Sequence, residues 1–478
     1  MTLLMMNLQI FFIILFVWIQ LVLAEDVFEN STDLCSKRCR CNLDDDTLRI
    51  DCVDTQMKHT IANWPDHPKN LMATFSHNEI TTLETMPGSD AEDIKLVFSY
   101  CGIKYLETGL FQSCINIRFL DISHNLLESE QLSSDVFKGP YNNSLYQPIA
   151  LEYLDLSYNQ IHSLQKKVFE HTPNLKYLNL EGNALRVVDH VSCLALSRAT
   201  QLHVLNLACN RLTELPSDAI KHFPNLTEIN LAYNELDFVP IALGFVANSL
   251  QILNISNNPI IELEHNTFEG LENLLQLYSN NLTKLGNIRT HSFQSLKHLK
   301  ILRLSHNKNL TEIDEDAFGK PSELEEVYLN DNSLISLLPN LLPWNQLKVL
   351  DISNNQFMCN CDLYNISTSL VDSIRNDKNG PYCLDPRSYI STEIYSLTNE
   401  TCNIKPIRGQ RRGNSPINGN LKVMRITLTT LIIVLIVATS VAMWLGYAKW
   451  RTYQRSLHYP FPNQIIYSPV ATTEFPRF

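Results

Sequence analysis

Leucine and isoleucine recur along this chain in one frame. Its clearest copy is LEYLDLSYNQI, at 151–161. It fits L-x-x-L-x-L-x-x-N-x-L at every fixed place, with Leu151, Leu154, Leu156, Asn159 and Ile161 in the five positions. Leu154 and Leu156 alternate with polar neighbours, which predicts a short strand with one buried face. With the asparagine as register, clear units centre on Asn125, Asn159, Asn183, Asn210, Asn234, Asn258, Asn280, Asn307, Asn332 and Asn355. The steps after Asn159 are 24, 27, 24, 24, 22, 27, 25 and 23 residues. A weaker unit ends at Cys101, with cysteine in the asparagine place, and a degenerate first unit ends at Asn78. That makes about twelve units, and one unit cannot bury its own apolar face. The pattern therefore predicts an α/β solenoid whose strands stack into a curved parallel sheet on the concave face.

Each place in the frame has a physical role. The asparagine side chain is expected to bond backbone groups of the turn, so that stacked asparagines satisfy buried polar groups along the array. Cysteine at 101 fits the place but bonds less well. The return path carries Phe111, Phe137, Phe169, Phe223, Phe268, Phe293 and Phe318, expected as core. The 34-residue step from Asn125 to Asn159 holds an insertion, KGPYNNSLYQP at 138–148. Its turn formers predict a surface loop.

Two further apolar stretches have no partner in the repeat pattern. Residues 3–24 are strongly apolar and end Val22-Leu23-Ala24, as a signal peptide does. The start lacks a charged side chain, so an uncleaved signal anchor is the alternative; both place residue 25 onward outside. Residues 426–448 carry no charge and are long enough to span a bilayer. Trp444, Tyr447 and Trp450 mark an interface, followed by Lys449, Arg451 and Arg455 on the expected cytoplasmic side.

Composition removes some functions. The net charge is −12, which argues against nucleic acid as a partner. The histidines are scattered, and H-E-x-x-H, G-x-S-x-G and G-x-x-x-x-G-K-[ST] are all absent from the sequence. No catalytic residue, metal ligand or cofactor is expected.

Twelve cysteines form two clusters and four singles. Compact C-x-C spacing is compatible with zinc, but a secreted context favours disulfides. The first cluster reads C-x3-C-x-C-x10-C and resembles the N-terminal flanking cap of extracellular leucine-rich repeat proteins. The second reads C-x-C-x21-C-x18-C and resembles that family's C-terminal cap. The resemblance implies the pairs Cys35–Cys41, Cys39–Cys52, Cys359–Cys383 and Cys361–Cys402. Cys101 with Cys114, and Cys193 with Cys209, fit either local disulfides or free core thiols.

The expected organisation is a signal peptide (1–24), an N-terminal cap (25–66), repeats (67–357) and a C-terminal cap (358–405). A juxtamembrane linker (406–425), a transmembrane helix (426–448) and a short cytoplasmic tail (449–478) complete it. The resemblance implies a plasma-membrane receptor or adhesion protein that binds a protein ligand or surface partner. Several members of the family form dimers, so a homodimer is open.

Eight N-x-[ST] sequons precede the span: Asn30, Asn142, Asn225, Asn254, Asn281, Asn309, Asn365 and Asn399. Asn254 falls on the outward face of a strand, where a glycan would cover the concave surface. If Asn254 is modified, binding is expected to shift toward the N-terminal half or the flanks. In the N-terminal half Phe119, Tyr153 and Tyr177 occupy one solvent-facing place in consecutive units, and strands roughly 4.8 Å apart would make them a column. Tyr100, His124 and Tyr158 sit at nearby strand exits, and Asp121, Asp155 and Glu181 add negative charge. Aromatic anchors beside charge are common interface chemistry. The plainer reading is that Asp at this place recurs in repeats of this kind for structural reasons.

In the tail, Tyr467-Ser468-Pro469-Val470 resembles an adaptor-binding endocytic signal, and with Ile465 an inhibitory phosphotyrosine motif. A tail without fixed structure accounts equally for it. Arg408-Gly409-Gln410-Arg411-Arg412 holds a minimal R-x-x-R cleavage pattern. These suggest an alternative, a co-receptor or decoy that internalises ligand or is shed.

Overall fold

The computed structural model describes residues 34–403 except 66–67, 320–322 and 377–379. The expected signal peptide, span and tail, with Asn30 and Tyr467, lie outside them. Among the described residues no helix is long and apolar enough to cross a membrane.

The strands form one fourteen-stranded sheet in sequence order. Its first pair, Arg40–Asp44 and Thr47–Asp51, is an antiparallel hairpin. Thr47–Asp51 then pairs in parallel with Asn70–Thr74, and parallel pairing continues to Val349–Asp351. Small satellite pairs lie outside this sheet, among them Thr82–Leu83 with Tyr105–Leu106. The apolar places of the frame enter the core: Leu151, Leu154, Leu156 and Ile161 are all fully buried. The seven return-path phenylalanines are buried too. They stack between units, Phe268 on Phe293 at 5.7 Å and Phe293 on Phe318 at 4.6 Å.

The asparagines hold successive turns together. Asn183 Nδ2 donates to the carbonyls of Leu156, Leu180 and Glu181 at 3.0–3.2 Å, while its Oδ1 accepts the Ile161 N–H at 3.0 Å. Asn159, Asn210, Asn234 and Asn258 repeat this pattern. The Cys101 thiol takes part of the role, 3.1 Å from the Phe75 carbonyl. It offers no amide oxygen for the Ile80 N–H, the group that an asparagine there would serve.

One unit is registered differently from its sequence reading. Tyr278 pairs with Asn254, four places before Asn258. The ladder place is therefore Leu282, fully buried, and not Asn280. The uneven steps around Asn280 become 24 (282 − 258) and 25 (307 − 282). Two adjacent asparagines made Asn280 look like the fixed residue. The frame instead puts Ser279 in the inner leucine place, where it is fully buried and its hydroxyl reaches the Arg303 carbonyl.

The ends are closed by the four disulfides that the resemblance implies. The helix Cys361–Ser369 begins at Asn360, whose side chain accepts the Leu363 N–H at 3.1 Å. Leu363 and Ile366, three apart, face the core. Cys101, Cys114, Cys193 and Cys209 are free thiols. Burial pushes the Cys114 thiol up to about 12, which keeps it protonated and inert.

The insertion is more ordered than a bare loop. Tyr141–Asn142 pairs antiparallel with Leu145–Tyr146. Asn143 and Ser144 both have positive φ, 49° and 69°, which suits a two-residue hairpin turn. Lys138 lies over the Tyr146 ring at 4.4 Å and ties the hairpin to its base.

Two substitutions test the ladder. Asn183→Ala is expected to destabilise the chain by about 2–3 kcal/mol, since it strands buried polar groups. Cys101→Asn is expected to stabilise it by about 1 kcal/mol through the added acceptor. Thermal denaturation of the purified proteins reads both.

Candidate protein-binding site on the concave face

The strand places Ile117–Asp121, Tyr153–Asp155 and Tyr177–Asn179 beside one another, with Phe119, Tyr153 and Tyr177 in register. Their rings stack at 4.2 Å for both steps, tilted by 12° and 8°. All three are half-buried. Burial, then the neighbouring Tyr177 and Asp155, raises the Tyr153 hydroxyl well above its ordinary range. It therefore stays a neutral donor at physiological pH. On the strand place before this column, Glu152 bridges Lys176 at 2.8 Å and Arg118. Lys176, and then Arg118, hold the Glu152 carboxyl below the usual carboxylate range.

A second column runs along the strand exits. His77, Tyr100, His124 and Tyr158 stack at 4.8, 4.1 and 4.3 Å, nearly parallel. Each stands immediately before a ladder place and has left-handed φ, between 51° and 60°. That backbone state is uncommon for bulky residues and turns the chain out of the strand. Tyr100, His124 and Tyr158 are where the sequence reading puts them. His77 joins them, although its degenerate unit hid the alignment.

The second column ends at Gly182, with φ +66°. A Cβ there would stand 2.5 Å from the Tyr158 ring. Tyr158 occupies the vacated space and donates to Glu181 at 2.8 Å. That bond first, and burial second, push its hydroxyl up to about 12.

Asp121 and Asp155 have a structural duty. Each accepts the N–H two residues on, from Ser123 and Ser157, at 2.8 Å. Asn179, Asn206, Asn230, Asn254 and Asp351 do the same in their units at 3.0–3.1 Å. This is a second polar ladder, on the concave side. Sequence inspection saw the recurrence of Asp but not the acceptor role that links it to Asn.

The sequons divide by exposure. Asn142, Asn225, Asn309, Asn365 and Asn399 are exposed, whereas Asn254 and Asn281 are half-buried. Asn254 lies on the concave sheet between Asn230 and Tyr278.

Replacing Gly182 by alanine should strain both backbone and Tyr158. The expected loss is about 1–2 kcal/mol from the left-handed backbone alone, with loosening of the Tyr158 ring. Thermal denaturation and the Tyr158 ring resonances report it, and Ala184→Gly nearby serves as control.

Residues 149–199, 200–248, 248–308 and 279–334 match the family described as Leucine rich repeat. Tsukushi of Gallus gallus is 26% identical over 253 residues, covering 48% of this chain and 65% of that protein. Tsukushi of Mus musculus is 30% identical over 226 residues, covering 47% and 60%. CD180 antigen of Mus musculus is 29% identical over 261 residues, covering 54% and 34%. The chain thus spans less than two thirds of the length of these relatives. A chain in the octameric complex of Latrophilin 3, Unc5D and FLRT2 superposes with a TM-score of 0.54. That match covers 76% of this chain and 98% of the other at 18% identity, and shows the fold alone. Repeats, ladder, caps and relatives agree in supporting an extracellular leucine-rich repeat protein.

Proposed function

We propose that this chain is a cell-surface recognition or adhesion receptor that binds a protein ligand on the N-terminal half of its concave face. A single span at 426–448 would anchor it. The observation that carries the reading is the Phe119–Tyr153–Tyr177 stack. Rings already fixed by their neighbours lose little freedom on binding, so their contact area converts efficiently into affinity. The exit column, with exposed Tyr100 and Tyr158, widens the same surface. Asp121 and Asp155 border it. A glycan on Asn254 would leave these units open and crowd the middle of the sheet.

The reading assigns no catalytic step. Its alternative, a co-receptor that internalises ligand, rests on Tyr467, outside the described residues. Tyr467→Phe separates the two, because a pure recognition role predicts unchanged uptake of bound ligand.

Capture of surface proteins by the soluble 25–406 fragment tests the main reading. Replacing Tyr153 and Tyr177 together by alanine should weaken capture at least about tenfold, as expected for central aromatic anchors. Capture of the same partner at unchanged strength would place the contact elsewhere.

A further inference from the structure

The second polar ladder is interrupted in three consecutive units. Tyr278, Arg303 and Tyr328 stand in register where the six preceding strands, Ile117–Asp121 to Ile252–Asn254, and the following Val349–Asp351 carry Asp or Asn; Thr74 and Val97 are the small exceptions nearer the N-terminal end. Arg303 has no acceptor, and the Tyr278 and Tyr328 hydroxyls are engaged with Gln276 and Glu326 instead of the N–H that this place normally serves. Part of the lost bonding is supplied by neighbours. Asn280 Oδ1 accepts the Ser305 N–H at 2.8 Å, and Ser256 Oγ accepts the Asn280 N–H at 3.1 Å. The chain thus gives up a regular bond and rebuilds around the substitution.

The replacement forms a compact arrangement. The Arg303 guanidinium lies over the Tyr328 ring at 4.1 Å and near the Tyr278 ring at 5.8 Å. Tyr328 and Tyr278 are steadied in turn, donating to Glu326 at 3.1 Å and to Gln276 at 2.8 Å. Arg303 Nε is shielded from solvent and makes no hydrogen bond. Among the described residues Arg303 forms no ion pair. A half-buried cation over a ring, with its Nε unpaired and no direct ion pair, keeps guanidinium N–H groups to offer.

We infer that Tyr278, Arg303 and Tyr328 form a second contact site, which accepts a carboxylate side chain of a protein ligand. The planar fork supplies two N–H donors in the geometry that a carboxylate matches. The flanking rings exclude water and strengthen the pair. The site lies on other strands than the aromatic column, so it stands or falls separately from the reading above. A glycan on Asn254, one strand away from Tyr278, would border it.

The test uses the full chain and a fluorescent hexaglutamate peptide, with hexaglutamine as control. Anisotropy reports binding. The chain's net charge of −12 opposes non-specific attraction of an acidic peptide, so preference for glutamate requires a local cationic site. Hexaglutamate should bind more tightly than hexaglutamine, and added salt should weaken it. Arg303→Gln should reduce its affinity about tenfold, the value of a charge-assisted pair. Arg303→Lys keeps the charge without the fork and should fall between; it also covers the case in which Arg303→Gln disturbs folding. Tyr153→Ala should leave the peptide affinity unchanged, which separates this site from the column. Asn254→Gln, which removes the sequon, should preserve or improve binding; its loss would make the glycan the binding element and overturn the proposal. Equal binding of the two peptides, or full retention in Arg303→Gln, would also overturn it.

Discussion

A buried asparagine amide is the interaction on which this molecule depends. Each repeat leaves its strand through a turn whose carbonyls and N–H groups face the core and cannot reach water. In Asn183, one side chain donates to three carbonyls and accepts one N–H from the preceding turn. Unpaired, each such group would cost about 1–3 kcal/mol. Leucine packing alone would hold the units at the right distance, but not in register. The ladder fixes register, and register decides which side chains meet on the outer face.

The geometry of the candidate surface follows from that constraint. Because Tyr153 aligns with Phe119 and Tyr177, three separate sequence positions become one stack. The left-handed residue ahead of each ladder place does the same for His77, Tyr100, His124 and Tyr158. Gly182 ends that column and gives Tyr158 its space. Core and outer surface are thus written on alternate places of the same frame. The leucines and the asparagine hold the turn, while the residues between them face outward.

Much of this was legible before any coordinates. Fixed-period leucines and asparagines carry strong local information, and cysteine spacing carries the caps. The Phe119, Tyr153 and Tyr177 alignment needed only the period and the strand spacing. Legibility failed where one unit broke the frame. Asn280 and Asn281 offered an asparagine in nearly the right place, while the structure fills the ladder place with Leu282. The concave Asp/Asn ladder was also missed, since it depends on a side chain accepting an N–H two residues on. Without that ladder as reference, Tyr278, Arg303 and Tyr328 gave no sign of being exceptions. The turn formers at 138–148 signal a reversal but not the pairing, so the sequence predicts a loop where Tyr141–Asn142 and Leu145–Tyr146 form a hairpin.

The central claim is that ligand docks on the N-terminal concave strands. Hydrogen–deuterium exchange of the chain with and without its captured partner addresses it most directly. Docking there slows exchange centred on Ile117–Asp121, Tyr153–Asp155 and Tyr177–Asn179. Protection confined to the return-path segments behind Phe169 and Phe223, with those strands unchanged, would contradict it.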